Sequence, residues 1–191
     1  RYRDNSWIIE ARGVRNTVGF DIHPTNNHLY FTDNGRDWLG DLLPSCELNI
    51  LEESGDFFGF PYLHAQDVID PEFGEYEHGY EINKPVLDLG PHVAPTGIEF
   101  YTGNLFPNEY KNNAFITLHG SWNSSKKVGY KVIRVMFDED GQPISNSDFI
   151  TGFLDGEKVI GRPAAPLMLS DGSLIISDDY ANQIYRVKRT L

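Results

Sequence analysis

The sequence predicts an all-β fold, and three observations support it. Short apolar runs rich in β-branched and aromatic residues recur along the 191 residues. Each run ends in polar residues, and turn-forming pairs such as Asp171 and Gly172 separate several of them. No window of about a dozen residues has the apolar spacing of an amphipathic helix. The chain is therefore expected to consist of strands joined by turns.

The strands fall into a unit that is repeated about three times. Three similar runs define it: residues 28–34, 113–120 and 173–179. Each follows another apolar stretch: residues 18–22, 97–101 and 164–169. Each precedes a further strand: residues 46–51, 130–137 and 183–188. A repeated four-stranded antiparallel unit predicts the blades of a β-propeller, and a β-sandwich is the alternative because it has the same short strands.

The number of predicted blades is too small for a complete propeller. Propellers close into rings of about four to eight blades, and three blades with one opening strand at residues 7–11 do not close. We therefore expect residues 1–191 to form a partial propeller, the C-terminal half of one domain. Residues 56–84 lack the strand pattern and are rich in aromatic and acidic side chains. They are expected to form a long loop insertion, either a lid or a docking surface.

Composition excludes several classes of function. The 28 acidic and 16 basic side chains give a net charge of −12, which argues against a nucleic-acid partner because phosphate binding requires clustered Lys and Arg. The sequence shows no apolar run of membrane-spanning length and no signal-peptide pattern. Its single cysteine, Cys46, excludes an internal disulfide framework and a zinc site built from cysteines.

Four polar clusters follow or precede the predicted strands. Arg15 and Asn16 lie between glycines, where they bind an anion or stabilise a turn. The segment TDNGRDWLG at 32–40 suits either calcium or an Asn-Gly turn. HGSWN at 119–123 lacks the setting of a nucleophilic serine and is interpreted as pocket lining, and Arg162 in GRP suits an anionic ligand. The pattern places Asn34, His119 and Asp178 at equivalent strand ends, and hence on one face.

These motifs resemble those of a known family. ARGVRNTVGFDIHP, FTDNGRDWLGD, ELN, APTGIEFY, HGSWN and GRP with DGSLIISDD occur in this order in the glucose/sorbosone dehydrogenase family. Its members are pyrroloquinoline quinone (PQQ)-dependent sugar dehydrogenases with a six-bladed propeller. The resemblance implies about three four-stranded blades of that ring. It also implies PQQ and calcium as cofactors.

The resemblance assigns roles to particular residues. It implies PQQ contacts from these side chains: Arg15, Asn16, Asn34, His119 and Arg162. It implies that the segment including Gly35 and Arg36 gives backbone oxygens to the calcium. The family's catalytic histidine lies upstream of Gly13, outside this chain, so the catalytic residue here is unknown. The chain departs from the family at three places: it has Cys46 where the family usually has Asp, Ser124 where the family usually has Arg, and APTG at residues 94–97 where the family has APLG.

The implied function is part of a soluble aldose or sorbosone-type dehydrogenase. It would oxidise a sugar hydroxyl or aldehyde with PQQ and calcium, in a periplasmic or extracellular location. Its partners would be the sugar and the missing N-terminal half of the propeller or another subunit. Two alternatives remain: a catalytically inactive propeller that serves as a binding or structural subunit of a larger assembly, and an extracellular calcium-binding interaction module.

Overall fold

The computed structural model describes residues 7–189, so the two ends of the predicted domain, residues 1–6 and 190–191, lie outside the described part. Strands dominate it, with one short 3-10 helix at Asn108–Tyr110. In chain order the strands are β1 (Ala11–Arg12), β2 (Thr17–Ile22), β3 (Leu29–Asp33), β4 (Ser45–Leu51), β5 (Asp56–Phe57), β6 (Leu63–His64), β7 (Val68–Ile69), β8 (Leu87–Pro91), β9 (Pro95–Phe100), β10 (Ala114–Leu118), β11 (Lys131–Phe137), β12 (Pro143–Ile150), β13 (Leu154–Asp155), β14 (Lys158–Val159), β15 (Pro163–Met168), β16 (Leu174–Asp178) and β17 (Gln183–Val187). The all-β prediction is confirmed.

Three antiparallel sheets follow one another along the chain. The first has the order β2-β3-β4-β8, the second β9-β10-β11-β12 and the third β15-β16-β17. In each sheet the strands pair in sequence order, as in a propeller blade. The three sheets do not form a closed ring within residues 7–189.

The outer strands of the first two sheets were not predicted from the sequence. In β12 most side chains are exposed and polar, because this strand lies at a sheet edge. Only Phe149 and Ile150 at its end pack against a core, so most of the strand carries no hydrophobic periodicity. The predicted opening strand at residues 7–11 is also different. Only Ala11 and Arg12 form a strand there, paired in parallel with β5.

Two hydrophobic cores hold the sheets together. Tyr30 and Leu48 of the first sheet pack against Ile98 and Ile116 of the second. On the other face of the second sheet, Phe115 packs in a core with Leu174 and other residues. All five residues of β10 are buried, because both faces of this strand are covered. The second sheet is thus the centre of a three-layer stack.

Close contact between the first strands of the sheets depends on glycine. A Cβ atom at Gly19 would lie 2.8 Å from Gly97 Cα, and one at Gly97 would lie 2.5 Å from Pro166 Cδ. Hydroxyl groups of the second strands bind the first strand of the next sheet: Thr32 Oγ1 donates to Pro95 O (3.3 Å), and Thr117 Oγ1 donates to Ala164 O (2.9 Å). The first strands β2, β9 and β15 therefore lie side by side, and their ends meet.

The insertion at residues 56–84 lies between β4 and β8 of the first sheet. It is anchored by Phe58, whose ring packs edge-on against Phe31 at 4.8 Å. The backbone N–H of Ala65 also donates to Glu47 in β4 (2.7 Å). The segment thus packs against the sheet. No helix in the described part of the chain is long and apolar enough to cross a membrane.

Candidate functional site

The strand register brings equivalent residues of the three sheets to one end of the molecule. Thr17 pairs with Asp33, Pro95 with Leu118, and Pro163 with Asp178. The residues that follow are Asn34, His119 and Asp179. The sequence prediction that grouped Asp178 with Asn34 and His119 was therefore wrong by one residue, because strand length alone does not fix where the register ends.

A cavity of about 220 Å³ lies at this end of the sheets. All five side chains predicted to contact the cofactor line it, together with Gly35: Arg15, Asn16, Asn34, His119 and Arg162. Cys46, His92 and Trp122 also line the cavity. Arg36 is outside this lining.

Buried Asp33 organises the first side of the cavity. Its carboxylate accepts the backbone N–H groups of Arg15 (2.8 Å), Asn16 (2.6 Å) and Asn34 (3.0 Å). Burial raises the pKa of Asp33 above its ordinary value, and these three hydrogen bonds oppose the rise. Asp33 therefore fixes the two loops that carry three predicted ligand residues. This role was not predicted, although an acidic residue at the end of a buried strand was visible in the sequence.

Asp178 has the same function in the third sheet. Its Oδ1 accepts the backbone N–H groups of Arg162 (3.0 Å) and Ala181 (2.8 Å), and its Oδ2 accepts the Tyr185 hydroxyl (3.2 Å). Burial disfavours the charged carboxylate, but these hydrogen bonds more than compensate and lower the pKa of Asp178. Asp33 and Asp178 are thus equivalent supports for two arginines.

The two guanidinium groups are held by fixed acceptors. Arg15 donates from Nη1 to Asn34 O and from Nη2 to Asp37 Oδ2, both at 3.1 Å. Arg162 donates from Nε to His119 O (3.1 Å) and from Nη2 to Gly120 O (2.6 Å). A guanidinium has five N–H donors, so donors remain on each arginine for an anion. The cavity therefore has the donor set of a site for a polycarboxylate.

His119 is paired with a carboxylate that had not been assigned to the site from the sequence. Its Nε2 lies 2.8 Å from Asp179 Oδ1, and the Asp179 side chain is largely exposed. A hydrogen bond of this kind fixes the orientation of the imidazole. The ring is therefore held in place where it lines the cavity.

The Arg36 side chain points into an ion-pair network with the insertion. Its guanidinium contacts the fully buried carboxylate of Asp70, which also lies 2.7 Å from His64 Nε2. The role predicted for Arg36 is to bind calcium through its backbone oxygen. The contacts of its side chain do not test that role, so it stays a prediction. No cluster of three His, Cys, Asp or Glu side chains within residues 7–189 could hold a metal ion.

Glu47 is a buried carboxyl beside the cavity wall. Burial raises its pKa to about 7, despite opposing hydrogen bonds from the Asn49 side chain and the Ala65 N–H. The charge of Asp33, its partner in the register, raises the pKa further. The ELN motif included this residue, but its burial was not visible in the sequence.

We predict that Glu47→Gln removes a pH dependence of stability. The folded state binds more protons than the unfolded chain between the ordinary pKa of 4.5 and about 7. The stabilisation by Glu47 is therefore full below pH 4.5 and is lost as the pH rises through 7. As the pH rises from below 4.5 to above 7, the wild type should lose about 3 kcal/mol of unfolding free energy relative to the variant.

Urea unfolding at pH 5 and pH 8 measures this effect. The Glu47→Gln side chain keeps an acceptor oxygen for the Ala65 N–H, so the variant is expected to fold. Glu157→Gln is a matched control, because the Glu157 side chain is exposed and pairs weakly with Lys127 at 3.9 Å. If the unfolding free energy of the wild type and of the Glu47→Gln variant depended equally on pH, the raised pKa of Glu47 would be contradicted.

Comparison with protein families identifies a match over most of the chain. The family model described as TrAA12-like matches residues 75–189. An uncharacterized protein of Borreliella burgdorferi is 45% identical over 184 residues, which cover 94% of this chain and 48% of that protein. A pyrroloquinoline quinone-dependent pyranose dehydrogenase of Coprinopsis cinerea is 32% identical over 161 residues, which cover 72% of this chain and 21% of that enzyme. The chain thus spans about half or less of these relatives.

Solved structures show the same fold. The calcium structure of a Trichoderma reesei carbohydrate-active enzyme of family AA12 superposes with a TM-score of 0.74 at 23% identity, over 92% of this chain and 52% of that one. The holo form of the PQQ domain of a Coprinopsis cinerea pyranose dehydrogenase superposes with a TM-score of 0.71 at 21% identity, over 95% of this chain and 56% of that one.

Proposed function

The chain belongs to the TrAA12-like family, and on that premise we propose that it forms part of a PQQ-dependent sugar dehydrogenase. The family match agrees with the motif resemblance to quinone-dependent sugar dehydrogenases. The proposed reaction is the oxidation of a sugar hydroxyl or aldehyde of the aldose or sorbosone type. The location proposed for it is periplasmic or extracellular.

One observation carries this proposal: the five predicted cofactor side chains, which are far apart in sequence, line one cavity. Two of them are arginines whose backbone N–H groups donate to buried aspartates. A quinone with three carboxylates requires cationic donors with a planar fork. Arg15 and Arg162 would hold these carboxylates, with the amides of Asn16 and Asn34 as further donors or acceptors.

Calcium would be bound next to Gly35 and Arg36. In the absence of an acidic cluster among residues 7–189, its protein ligands would be backbone oxygens, which suit a hard cation. When bound, PQQ accepts the hydride and calcium acts as a Lewis acid on it. Asp33 keeps Asn34 in place through the Asn34 N–H, and Arg36 is held by Asp70. The two carboxylates thus fix both ends of this turn.

The three sheets would be about three blades of a six-bladed ring. The remaining blades would come from a further part of the same protein or from another subunit. The catalytic base is expected there, since the family resemblance places the histidine upstream of Gly13. The exposed side chains Val18, Phe20 and Ile22 on β2 would then be covered by the preceding blade.

The test is reconstitution of the full-length protein with PQQ and calcium. We expect a calcium-dependent change in the PQQ absorption spectrum and dye reduction when aldoses are added. Binding of PQQ without dye reduction would favour the inactive propeller, an alternative supported by Cys46 in the cavity where the family motif carries Asp. Absence of any PQQ binding would contradict the proposal.

A further inference from the structure

Two exposed indoles lie at the mouth of the cavity. Trp38 is 77% exposed and Trp122 is 66% exposed. Their ring centroids are 5.8 Å apart, with 82° between the ring planes, so the rings form an open corner. Trp122 lines the cavity, whereas Trp38 is outside its lining. Adjacent exposed apolar groups of this size typically mark a binding surface.

The backbone at Trp38 is strained as well. Its φ angle is +69°, in the left-handed region that non-glycine residues rarely adopt. A side chain this exposed buries little apolar surface and so contributes little to the stability of the fold. Strain of this kind persists where the surroundings impose it, and it is concentrated at functional sites.

Hydrogen bonds fix the two loops that carry the indoles. Ser125 N donates to Asp41 Oδ1 at 2.9 Å, which joins one loop to the other. His92 Nε2 lies 2.7 Å from Gly40 O, and Asp37 accepts from Arg15. The corner is thus tied to the cavity wall and is preorganised, which lowers the entropic cost of binding a ligand.

We infer that the Trp38–Trp122 corner binds a sugar ring adjacent to the ring that is oxidised, so that the site takes a disaccharide or a longer saccharide. This inference rests on the proposed function. A pyranose with equatorial hydroxyls presents C–H groups on its faces and hydroxyls around its edge. The indole faces bind the apolar side, and the neighbouring carboxylates of Asp37 and Asp41 accept from the hydroxyls.

The size and charge of the site support this ligand. The cavity of about 220 Å³ is smaller than the ~300–1,000 Å³ of typical small-molecule sites. With a quinone held by Arg15 and Arg162, this part of the cavity has little room for a second sugar ring, and the corner formed by Trp122 and Trp38 lies beside it. Asp37 lines the cavity next to Trp38, and Asp41 binds the loop that carries Trp122. These carboxylates make the corner a poor surface for an apolar protein segment and a good one for a polyol.

Isothermal titration calorimetry of the full-length protein with cellobiose and with glucose tests the inference. Trp7 is 92% exposed and outside the cavity lining, so it offers a tryptophan that is remote from the proposed sugar site. We expect cellobiose to bind more tightly than glucose. Trp38→Gly should lower the ratio of the two affinities about tenfold, which corresponds to about 1.4 kcal/mol. Trp38→Phe should keep most of the preference.

The design keeps the variants folded and separates the two hypotheses. Glycine favours the left-handed backbone at position 38, and Trp7→Ala is the matched control. If PQQ binds and glucose is oxidised while Trp38→Gly leaves the affinity ratio unchanged, the inference is wrong and the proposed function stands. If PQQ does not bind but the cellobiose preference depends on Trp38, the proposed function fails, and the corner is a saccharide-binding site without an adjacent oxidised ring, which overturns the inference as stated.

Discussion

Replacing Arg162 with alanine is expected to weaken PQQ binding about a hundredfold, equivalent to about 2.7 kcal/mol. The guanidinium is anchored by His119 O and Gly120 O, and its Cζ lies 5.4 Å from the centre of the Tyr130 ring. These contacts fix the plane of the group, so its free donors face one direction. Loss of a preorganised, partly buried charge costs more than loss of a mobile surface charge.

Two further variants make the test specific. Arg162→Lys retains the positive charge but not the planar fork, so it should restore part of the affinity. Arg186→Ala is the matched control in the same sheet, because Arg186 forms an exposed pair with Asp171 outside the cavity. Equilibrium titration of PQQ in the presence of calcium measures the affinity, and thermal unfolding checks the fold. If the Arg162→Ala variant bound PQQ with the affinity of the wild type, Arg162 would not be a PQQ ligand.

The central strands could be predicted because burial leaves a pattern in the sequence. In β3 and β10, apolar and β-branched residues fill a strand that is covered on both faces. The predicted boundaries of these two strands agree with the structure to within two residues at each end. The exposed edge strand β12 has no such pattern and was missed. The sequence thus identified the strands that make the core and not those that complete the sheets.

The sequence identified the residues that line the cavity, but it did not identify the contacts that hold them in place. Arg15, Asn34 and Arg162 occur in motifs, and the resemblance assigned them together. The pairing of His119 with Asp179 joins residues 60 positions apart and depends on how the second and third sheets pack. No local pattern encodes such a contact, because each residue alone resembles an ordinary polar side chain at a strand end.

The insertion shows the same limit. Residues 56–84 were recognised as an unusual acidic and aromatic segment, and their predicted use was a lid or a docking surface. In the structure, Asp70 of this segment is buried and contacts Arg36 and His64. One carboxylate among many in an acidic segment carries no sign of burial in the sequence. Its importance depends on the arginine that packs against it.

Asp70→Asn is expected to destabilise the protein by about 3 kcal/mol. The side chain of Asp70 is fully buried, and its Oδ1 accepts the backbone N–H groups of Glu72 (2.8 Å) and Phe73 (2.9 Å). Although burial disfavours the charge, the contacts with Arg36 and His64 hold the pKa of Asp70 well below its ordinary value. Removal of the charge leaves the partly buried guanidinium without its buried counter-ion, with only the exposed Glu72 at 3.7 Å, and loss of a buried partner costs about 3–5 kcal/mol.

Urea unfolding measures this effect, with Glu72→Gln as the matched control. Glu72 contacts the same guanidinium at 3.7 Å, but its side chain is 65% exposed. An exposed pair contributes about 0–1 kcal/mol, so the two variants remove a carboxylate from the same arginine at very different expected costs. Equal destabilisation by both variants would show that burial of Asp70 does not govern the network.

The same variant also tests whether the insertion supports the cofactor site. Arg36 follows Gly35, which lines the cavity, so loss of Asp70 should loosen the turn proposed to bind calcium. We expect Asp70→Asn to raise the calcium concentration needed for PQQ binding about tenfold, measured well below the unfolding transition, and Glu72→Gln to change it less than twofold. If calcium dependence is unchanged while stability falls, the insertion stabilises the first sheet only. If both change together, the segment that interrupts the first sheet is what fixes the position of its metal-binding turn.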